Sequence, residues 1–503
     1  MLRVVPSLPL LVQAALARDP ASPAMAFAGE WIDWGTLCTT ANRIAGALDE
    51  AGVAPDAPVG LVPRNRPEAI AALLALLAAG RSVRMIYAFQ SAEGIAQGMA
   101  RPGLGGVVVH AEDAAAGVVS AARETGLGLV VLEGMGKASA AVMAAPATAA
   151  ARPAASQIEI LTSGTTGPPK PFAVPYSLIE QHFLATPLTR SQGDDPGLAP
   201  PFLLYFPLGN ITGLYSTLPT LLRGQRAILL ERFSLAAWHA YVVEHRPVHS
   251  GVPPSAMRQI LEAGIPVEDL ASIRAMGVGA APLDPAVQRA FEARYGIPVL
   301  PSYGATEFAG PVAMMSAELH AEWGAAKLGS VGRALPGVQM RVVDPESGAA
   351  LPPGETGLLH VIAPRIGPDW IVTSDLATID ADGFLFLKGR ADGAIMRGGF
   401  KVLPETIEAA LLLHPAIAEA AVVGVPDERL GEVPAAAMVC VTGHSGTPTP
   451  AELETHLRRH VLATHIPAQW RFCSELPRTP SLKVDRGAVR RLFGPTFPQG
   501  AGD

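Results

Sequence analysis

Cysteine is scarce in this chain. Its three residues in 503, Cys38, Cys440 and Cys473, lie far apart and are odd in number. That spacing excludes a disulfide framework and offers no metal-like cluster, so a reducing, cytoplasmic setting is expected. Charge is equally thin. Asp, Glu, Lys and Arg make up 17% of the residues and sum to -7, without the basic surplus that a nucleic-acid partner calls for. Long apolar runs are missing as well: the longest, Ala69 to Gly80, is bounded by Glu68 and Arg81 and is too short to cross a bilayer. The stretch from Met1-Leu2-Arg3 to Ala17 imitates a secretion signal only faintly, because Ser7 and Gln13 interrupt it and a helix is the better reading. No internal repeat is present.

What the chain does have is a large apolar share. With 49% hydrophobic residues over 503 positions it exceeds what one core usually organises, so two or more domains of a globular α/β protein are expected. From Pro58 to Ile86 a short apolar strand precedes Asn65, read as a helix cap, then Pro67 in the first turn and a helical run closed by Gly80. Gly106 to Val109, the Ala-rich stretch after Glu112 and Leu129 to Leu132 repeat that alternation, which argues for parallel sheets covered by helices. Residues 138–155 show no apolar period and read as a surface connection into a strand over 157–161. Asp284-Pro285 starts a helix that stops at Gly296, a strand begins at Val299, and 379–384 reads as a hairpin turn. After Arg390 the texture changes. A helix over 404–413, strands near 420–425 and 435–441 and a helix over 452–462 make a compact unit of domain size, placing a boundary near 389–392.

The segment Leu161-Thr162-Ser163-Gly164-Thr165-Thr166-Gly167-Pro168-Pro169-Lys170 follows the predicted strand at the position where open α/β sheets bind ligands. Glycines let the backbone approach an anion, the four hydroxyls donate hydrogen bonds and Lys170 adds charge, so the segment reads as a phosphate-gripping loop. Pro169 stands where a Walker A loop requires glycine, which excludes that motif. A ligand-free Ser/Thr/Gly loop would have the same composition.

The order of residues here resembles the signature loop of the adenylate-forming superfamily of acyl- and aryl-CoA synthetases, adenylation domains and luciferases. Four further segments continue the resemblance. Ser302-Tyr303-Gly304-Ala305-Thr306-Glu307 is similar to the family's Tyr-Gly-x-Thr-Glu element. The likeness implies Tyr303 against adenine, Thr306 on the α-phosphate and Glu307 as the Mg²⁺ ligand, with Gly279, Ala280, Ala281, Ser302, Gly304 and Ala305 around the nucleotide. Thr373-Ser374-Asp375 resembles Thr-Gly-Asp, whose carboxylate accepts both ribose hydroxyls. Gly389-Arg390-Ala391-Asp392 resembles the hinge, with Arg390 as a second ribose contact and Asp392 as the pivot. Arg397-Gly398-Gly399-Phe400-Lys401 resembles the loop lining a pantetheine tunnel, although a hairpin needing positive φ would explain the same glycines. Pro477 to Arg486 is similar to the C-terminal element carrying the adenylation lysine, here Lys483, with Leu482 in place of the usual glycine.

The resemblance implies an α/β fold: a large N-terminal domain, 1–390, of stacked, mostly parallel sheets with covering helices, plus a small mobile α+β domain, 391–503. It implies an ATP- and Mg²⁺-dependent ligase that adenylates a carboxylic acid and passes the acyl group to coenzyme A. The acid pocket would comprise Phe206, Leu208, Asn210, Gly213, Gly251, Val252, Val278, Gly279, Gly304 and Phe308. No Asp stands near Tyr205 to pair with an α-ammonium, so an uncharged fatty or aromatic acid is expected, and a place in fatty acid metabolism with it. Alternatives are an adenylating enzyme that loads a separate carrier protein, and a non-catalytic nucleotide binder. Small molecules are the expected partners, with the chain alone or as a homodimer.

Overall fold

The computed structural model describes residues 6–88, 90–145, 155–162, 170–184, 199–280, 283–345, 347–391, 393–441, 446–477, 484 and 486–494. The architecture is α/β, and among the described residues the strands form five sheets. The largest has seven strands, and its centre is parallel: Gly128–Gly134, Gly106–His110, Val59–Leu61, Val83–Met85 and Gln157–Thr162. Antiparallel strands Lys137–Val142 and Lys170–Pro175 flank it on the two edges. The expected parallel core is therefore present, with one addition. Lys137–Val142 falls where a surface connection was expected, because two register shifts against its neighbour erase the alternation that marks a strand.

The apolar run that is too short for a membrane is the helix Pro67–Ala78, and every residue from Ala69 to Leu77 is buried. It packs against the seven-stranded sheet and against the helices Leu8–Leu16 and Trp34–Glu50. A helix apolar on all sides belongs in such a place. No helix among the described residues is long and apolar enough to cross a membrane. Asn65 does not cap this helix: Arg66 occupies the N-cap without a side-chain bond.

A second sheet runs parallel through His249–Val252, Ala275–Val278 and Val299–Ala305 before turning antiparallel at Gly310–Met314. The helix Pro285–Tyr295 that precedes the third of these strands begins as expected, with Asp284 accepting from the Ala286 N–H, and ends on Gly296 in the left-handed region. Further on, Ile371–Ile379 and Leu385–Arg390 form the predicted hairpin, whose turn is closed by the Asp380 carboxylate accepting from Asp382 and Phe384. The C-terminal part has its own sheet, built around the long pair Ile417–Asp427 and Gly431–Cys440, and its own cores. Its helix Pro450–Leu457 opens on a capping box of Thr449 and Glu452 and stops five residues short of the expected Leu462. Leu457 is its last buried side chain, and Arg458, Arg459 and His460 that follow are exposed.

At the ends of two central strands sits a charged network with one neutral member. Arg64 makes a bidentate pair with Asp113 at 2.7 and 2.9 Å, and Arg66 reaches Glu231 at 2.9 Å. Beside them His110 is 4% exposed, and its Nε2 has no partner among the described residues. Burial, helped by the charges of Arg66 and Arg64, pushes its pKa down to about 4. The imidazole is therefore neutral in the native protein but titrates near 6.5 once unfolded. Between about pH 6.5 and 4 the unfolded chain binds the extra proton, so stability falls as pH drops through that window, by up to about 3 kcal/mol from this group. Chemical denaturation of His110→Gln at several pH values is expected to show a shallower decline than the unsubstituted protein across that window and the same slope above pH 7.

Candidate active site

A cleft of about 3230 Å³ opens at the C-terminal ends of the parallel strands in the second sheet and runs to the C-terminal part of the chain. Its floor follows from strand geometry. Side chains alternate across a sheet, so Ala275, Gly277 and Gly279 fall on one face, with Gly251 beside Gly277 in register. Gly251 and Gly277 leave that face without side chains between His249 and Leu300, which pair with Ala275 and Gly277. Gly251 looks toward the buried Tyr205, whose hydroxyl would lie 3.6 Å from a Cβ added there. Val252, Val278, Phe206 and Asn210 line the same cleft, while Phe308 and Gly304 close it from the far side.

Two members of the expected acid pocket stand apart from the lining. Leu208 is 2% exposed and packs into the main core beside Leu204 and Leu214. Gly213 is fixed by its backbone: a Cβ there would lie 2.0 Å from the Pro207 carbonyl oxygen, so its role is to let the loop meet the helix Ile211–Leu222. Gly277, by contrast, belongs to the lining, and its two-residue step from Gly279, which puts both on one face of an extended strand, is the sequence signal for it. A Cβ at Gly277 would meet nothing closer than the Ser250 carbonyl at 3.7 Å. Gly277→Val is therefore expected to fold; where the cleft takes the carboxylic acid that the resemblance implies, it should raise KM for bulky acids about tenfold with KM for ATP little changed, as steady-state kinetics with an acid series would show.

The strand Val299–Ala305 carries the Tyr-Gly-x-Thr-Glu element to the cleft. The Tyr303 hydroxyl donates to Asp375 Oδ2 at 2.5 Å, which joins two of the expected nucleotide contacts directly. A charge-assisted bond of this kind contributes about 1.5–3 kcal/mol. Asp375 is oriented from behind too, since its N–H donates to Thr373 Oγ1 at 3.0 Å and that hydroxyl donates to the Leu359 carbonyl at 2.7 Å. Ser374, where the family has glycine, lies inside the regular strand Ile371–Ile379 and outside the positive-φ residues, so its backbone makes no demand for glycine.

Backbone strain collects around this site. Ala280 and Ala309 are two of the four described non-glycine residues with positive φ, at 66° and 52°. Ala309 follows the short turn Thr306–Phe308, and Arg365 holds that turn by donating to the carbonyl oxygens of Phe308 and Pro311. Burial lowers the pKa of the Arg365 guanidinium. Thr306 and Glu307 line the cleft, and the Glu307 carboxylate is exposed to it with no ion pair or hydrogen bond among the described residues. An uncommitted carboxylate of this kind fits a hard cation such as Mg²⁺. No group of three or more acidic, His or Cys side chains among the described residues could hold a metal without help from a substrate.

The C-terminal part reaches the cleft through one turn. Ile395–Arg397 and Phe400–Val402 pair as a hairpin with Gly398 and Gly399 at φ 55° and 85°. A Cβ at Gly399 would stand 3.6 Å from the Ala280 carbonyl oxygen, so the turn lies against the end of the strand Ala275–Val278. Arg397 does not extend into solvent: its guanidinium donates to the carbonyls of Thr464 at 2.6 Å and Ile466 at 3.1 Å. Next to it, burial and the Arg397 charge push the His465 pKa down to about 4. Phe400 and Lys401 line the cleft. Thr162 and Lys170 end two paired strands, and Asp375 pairs with Arg390 in register, but for Thr162, Lys170 and Arg390 only the backbone is described. Ser163, Gly164, Thr165, Thr166, Gly167, Ala281, Asp392 and Lys483 lie outside the described residues.

With Asp375, Tyr303, Glu307 and the glycine turn on one cleft, comparison with known proteins becomes informative. The AMP-binding enzyme family matches residues 12–368, and the AMP-binding enzyme C-terminal domain matches residues 406–483. The chain belongs to the AMP-binding enzyme family. This is the adenylate-forming superfamily whose motifs the sequence carries. Among curated relatives, the sulfoacetate–CoA ligase of Cupriavidus necator is 33% identical over 352 residues, covering 67% of each chain. The 4-coumarate–CoA ligase-like 9 protein of Oryza sativa subsp. japonica is 30% identical over 358 residues, 66% of this chain and 63% of that one. The chain thus spans about two thirds of the length of these relatives. The amide bond synthetase McbA from Marinactinospora thermotolerans superposes with a TM-score of 0.82 at 27% identity, covering 97% of this chain and all of that one. This member of the AMP-binding enzyme family, then, has the fold of the adenylate-forming enzymes.

Proposed function

We propose that the protein activates an organic carboxylic acid with ATP and passes the acyl group to coenzyme A, releasing pyrophosphate and then AMP. The observation that carries this reading is the approach of the bare Gly398–Gly399 turn to Ala280, in the cleft that also holds Glu307 and the Tyr303–Asp375 pair. A turn without side chains at that point leaves room for a narrow thiol arm to reach the carbonyl.

In the first step a carboxylate oxygen attacks the α-phosphorus and pyrophosphate leaves. Asp375, held by Tyr303 and Thr373, would accept from the ribose hydroxyls and orient the nucleotide. Thr306 would donate to the α-phosphate, and Glu307 would hold Mg²⁺, which screens the repulsion between the two anions. The Arg365 brace keeps the Thr306–Phe308 turn in place. By the family resemblance Lys483 supplies the positive charge during this step, with the phosphate-gripping segment 161–170 around the β- and γ-phosphates. The C-terminal part, 391–503, would then turn about Asp392 to bring the glycine turn to the mixed anhydride, and the acceptor would attack with AMP leaving.

The side-chain-free positions Gly251, Gly277 and Gly279 and the apolar face of Phe206 beside them support an uncharged fatty or aromatic acid. The whole-chain likeness to an amide bond synthetase favours a second reading in which an amine is the acceptor. A carboxylic acid panel in ATP–pyrophosphate exchange, followed by CoA or a simple amine added to the best acid, separates these. Thioester with CoA supports the main reading, amide without CoA turnover supports the second, and no acid-dependent exchange overturns both.

A further inference from the structure

Asn65 stands behind the cleft, 4% exposed, at the bend between the strand Val59–Leu61 and the helix Pro67–Ala78. A buried carboxamide must satisfy two donors and a carbonyl oxygen. Since the adjacent helix leaves it unused, its partners come from far away in the chain. Nδ2 donates to the carbonyls of Phe206 at 2.9 Å and Leu230 at 3.3 Å, and Oδ1 accepts from the Leu208 N–H at 2.8 Å. Only an amide facing that way pairs both carbonyls and the N–H, so the contacts fix its orientation. Pro63 supports the same loop, lying 3.3 Å from the position a Cβ on Gly209 would take, and the neighbouring Arg66 pairs with Glu231 at 2.9 Å, just past Leu230.

The loop so held is a wall of the cleft: Phe206, Pro207 and Asn210 line it. The geometry points to Asn65 as a positioning residue for the carboxylic acid, fixing this wall through the backbone of Phe206 and Leu208 and thereby setting which acids fit. The inference rests on the proposed reading of that wall as the acid side. Asn65 itself is not among the residues lining the cleft. It acts because a loop with satisfied backbone bonds on both faces cannot yield to an oversized acid, whereas one released by about an ångström loses its discrimination.

The test is acid-dependent ATP–pyrophosphate exchange with Asn65→Ala, measuring KM for acid and for ATP separately, alongside thermal melting. The expected result is a rise of about tenfold or more in KM for the preferred acid, a similar loss of discrimination against its next larger homologue, and KM for ATP within about twofold. Asn65→Asp provides the second variant. While its buried carboxyl is protonated it keeps one donor and one acceptor, so KM for acid should approach that of the unsubstituted enzyme at low pH and rise as the carboxyl ionises. A lower melting temperature and lower kcat with unchanged KM for acid and unchanged discrimination would overturn the assignment. Should Asn65→Ala fail to fold, a KM for acid in Asn65→Asp that tracks the unsubstituted enzyme at every pH overturns it instead. Absence of exchange in the unsubstituted enzyme would sink the adenylation reading itself, a different outcome from exchange that ignores Asn65.

Discussion

Alanine at Lys483 is expected to slow acid-dependent ATP–pyrophosphate exchange by about two to three orders of magnitude, the usual consequence of removing one charge aimed at a developing anion. The same variant should convert supplied acyl-adenylate and CoA to product at close to the unsubstituted rate. The asymmetry follows from the position of the glycine turn. With Gly399 against Ala280, the C-terminal part already contributes its turn to the cleft, and in the proposed second step nothing further is asked of the lysine. A quenched-flow measurement of both half-reactions decides the matter: equal losses in the two would remove Lys483 from the role assigned to it.

Valine at Gly399 should give the opposite pattern. A β-branched residue at φ 85° is strained, and its side chain would project toward the Ala280 carbonyl, 3.6 Å from the new Cβ. Strain of a few kcal/mol placed on the arrangement needed for acyl transfer corresponds to a loss of about 100-fold or more in that step. Pyrophosphate exchange, which does not use the turn in the proposed mechanism, should stay within about twofold. Single-turnover transfer from pre-formed adenylate to CoA is the measurement. Loss of exchange in parallel would show that the turn serves both steps or that the variant is misfolded.

The parts of the fold that could be read in the sequence are those where a residue type is forced by chemistry or by backbone shape. The helix Pro285–Tyr295 announces itself through Asp284, Pro285 and Gly296, and the hairpin at Asp380 through its Asp and Gly residues. The glycine turn at 398–399 is visible because few other residues accept such φ values. The site residues behind these motifs were not visible. Among the described residues the Asn65 side chain bonds only to backbone atoms of Phe206, Leu208 and Leu230, 141 to 165 positions away, and Arg365 holds carbonyls of Phe308 and Pro311. Every residue offers a carbonyl, so such partners leave no mark in the sequence. Asn65, two residues ahead of Pro67, has the side chain favoured at a helix N-cap, but tertiary bonds take that side chain elsewhere. Leu208 and Gly213 belong to the stretch 205–213 that the family resemblance assigns to the acid pocket, yet one turns into the core and the other is a tight backbone crossing. Lys137–Val142 was lost because a bulged edge strand has no clean period.

Arg397 has a mechanical consequence. By gripping the carbonyls of Thr464 and Ile466 it welds the glycine turn to a segment more than sixty residues downstream, so neither piece can travel without the other. A fluorophore or spin label at an exposed position of that segment outside the cleft lining, such as Ala468, would therefore report the arrival and departure of the turn at the cleft in real time, without a probe ever entering the cleft.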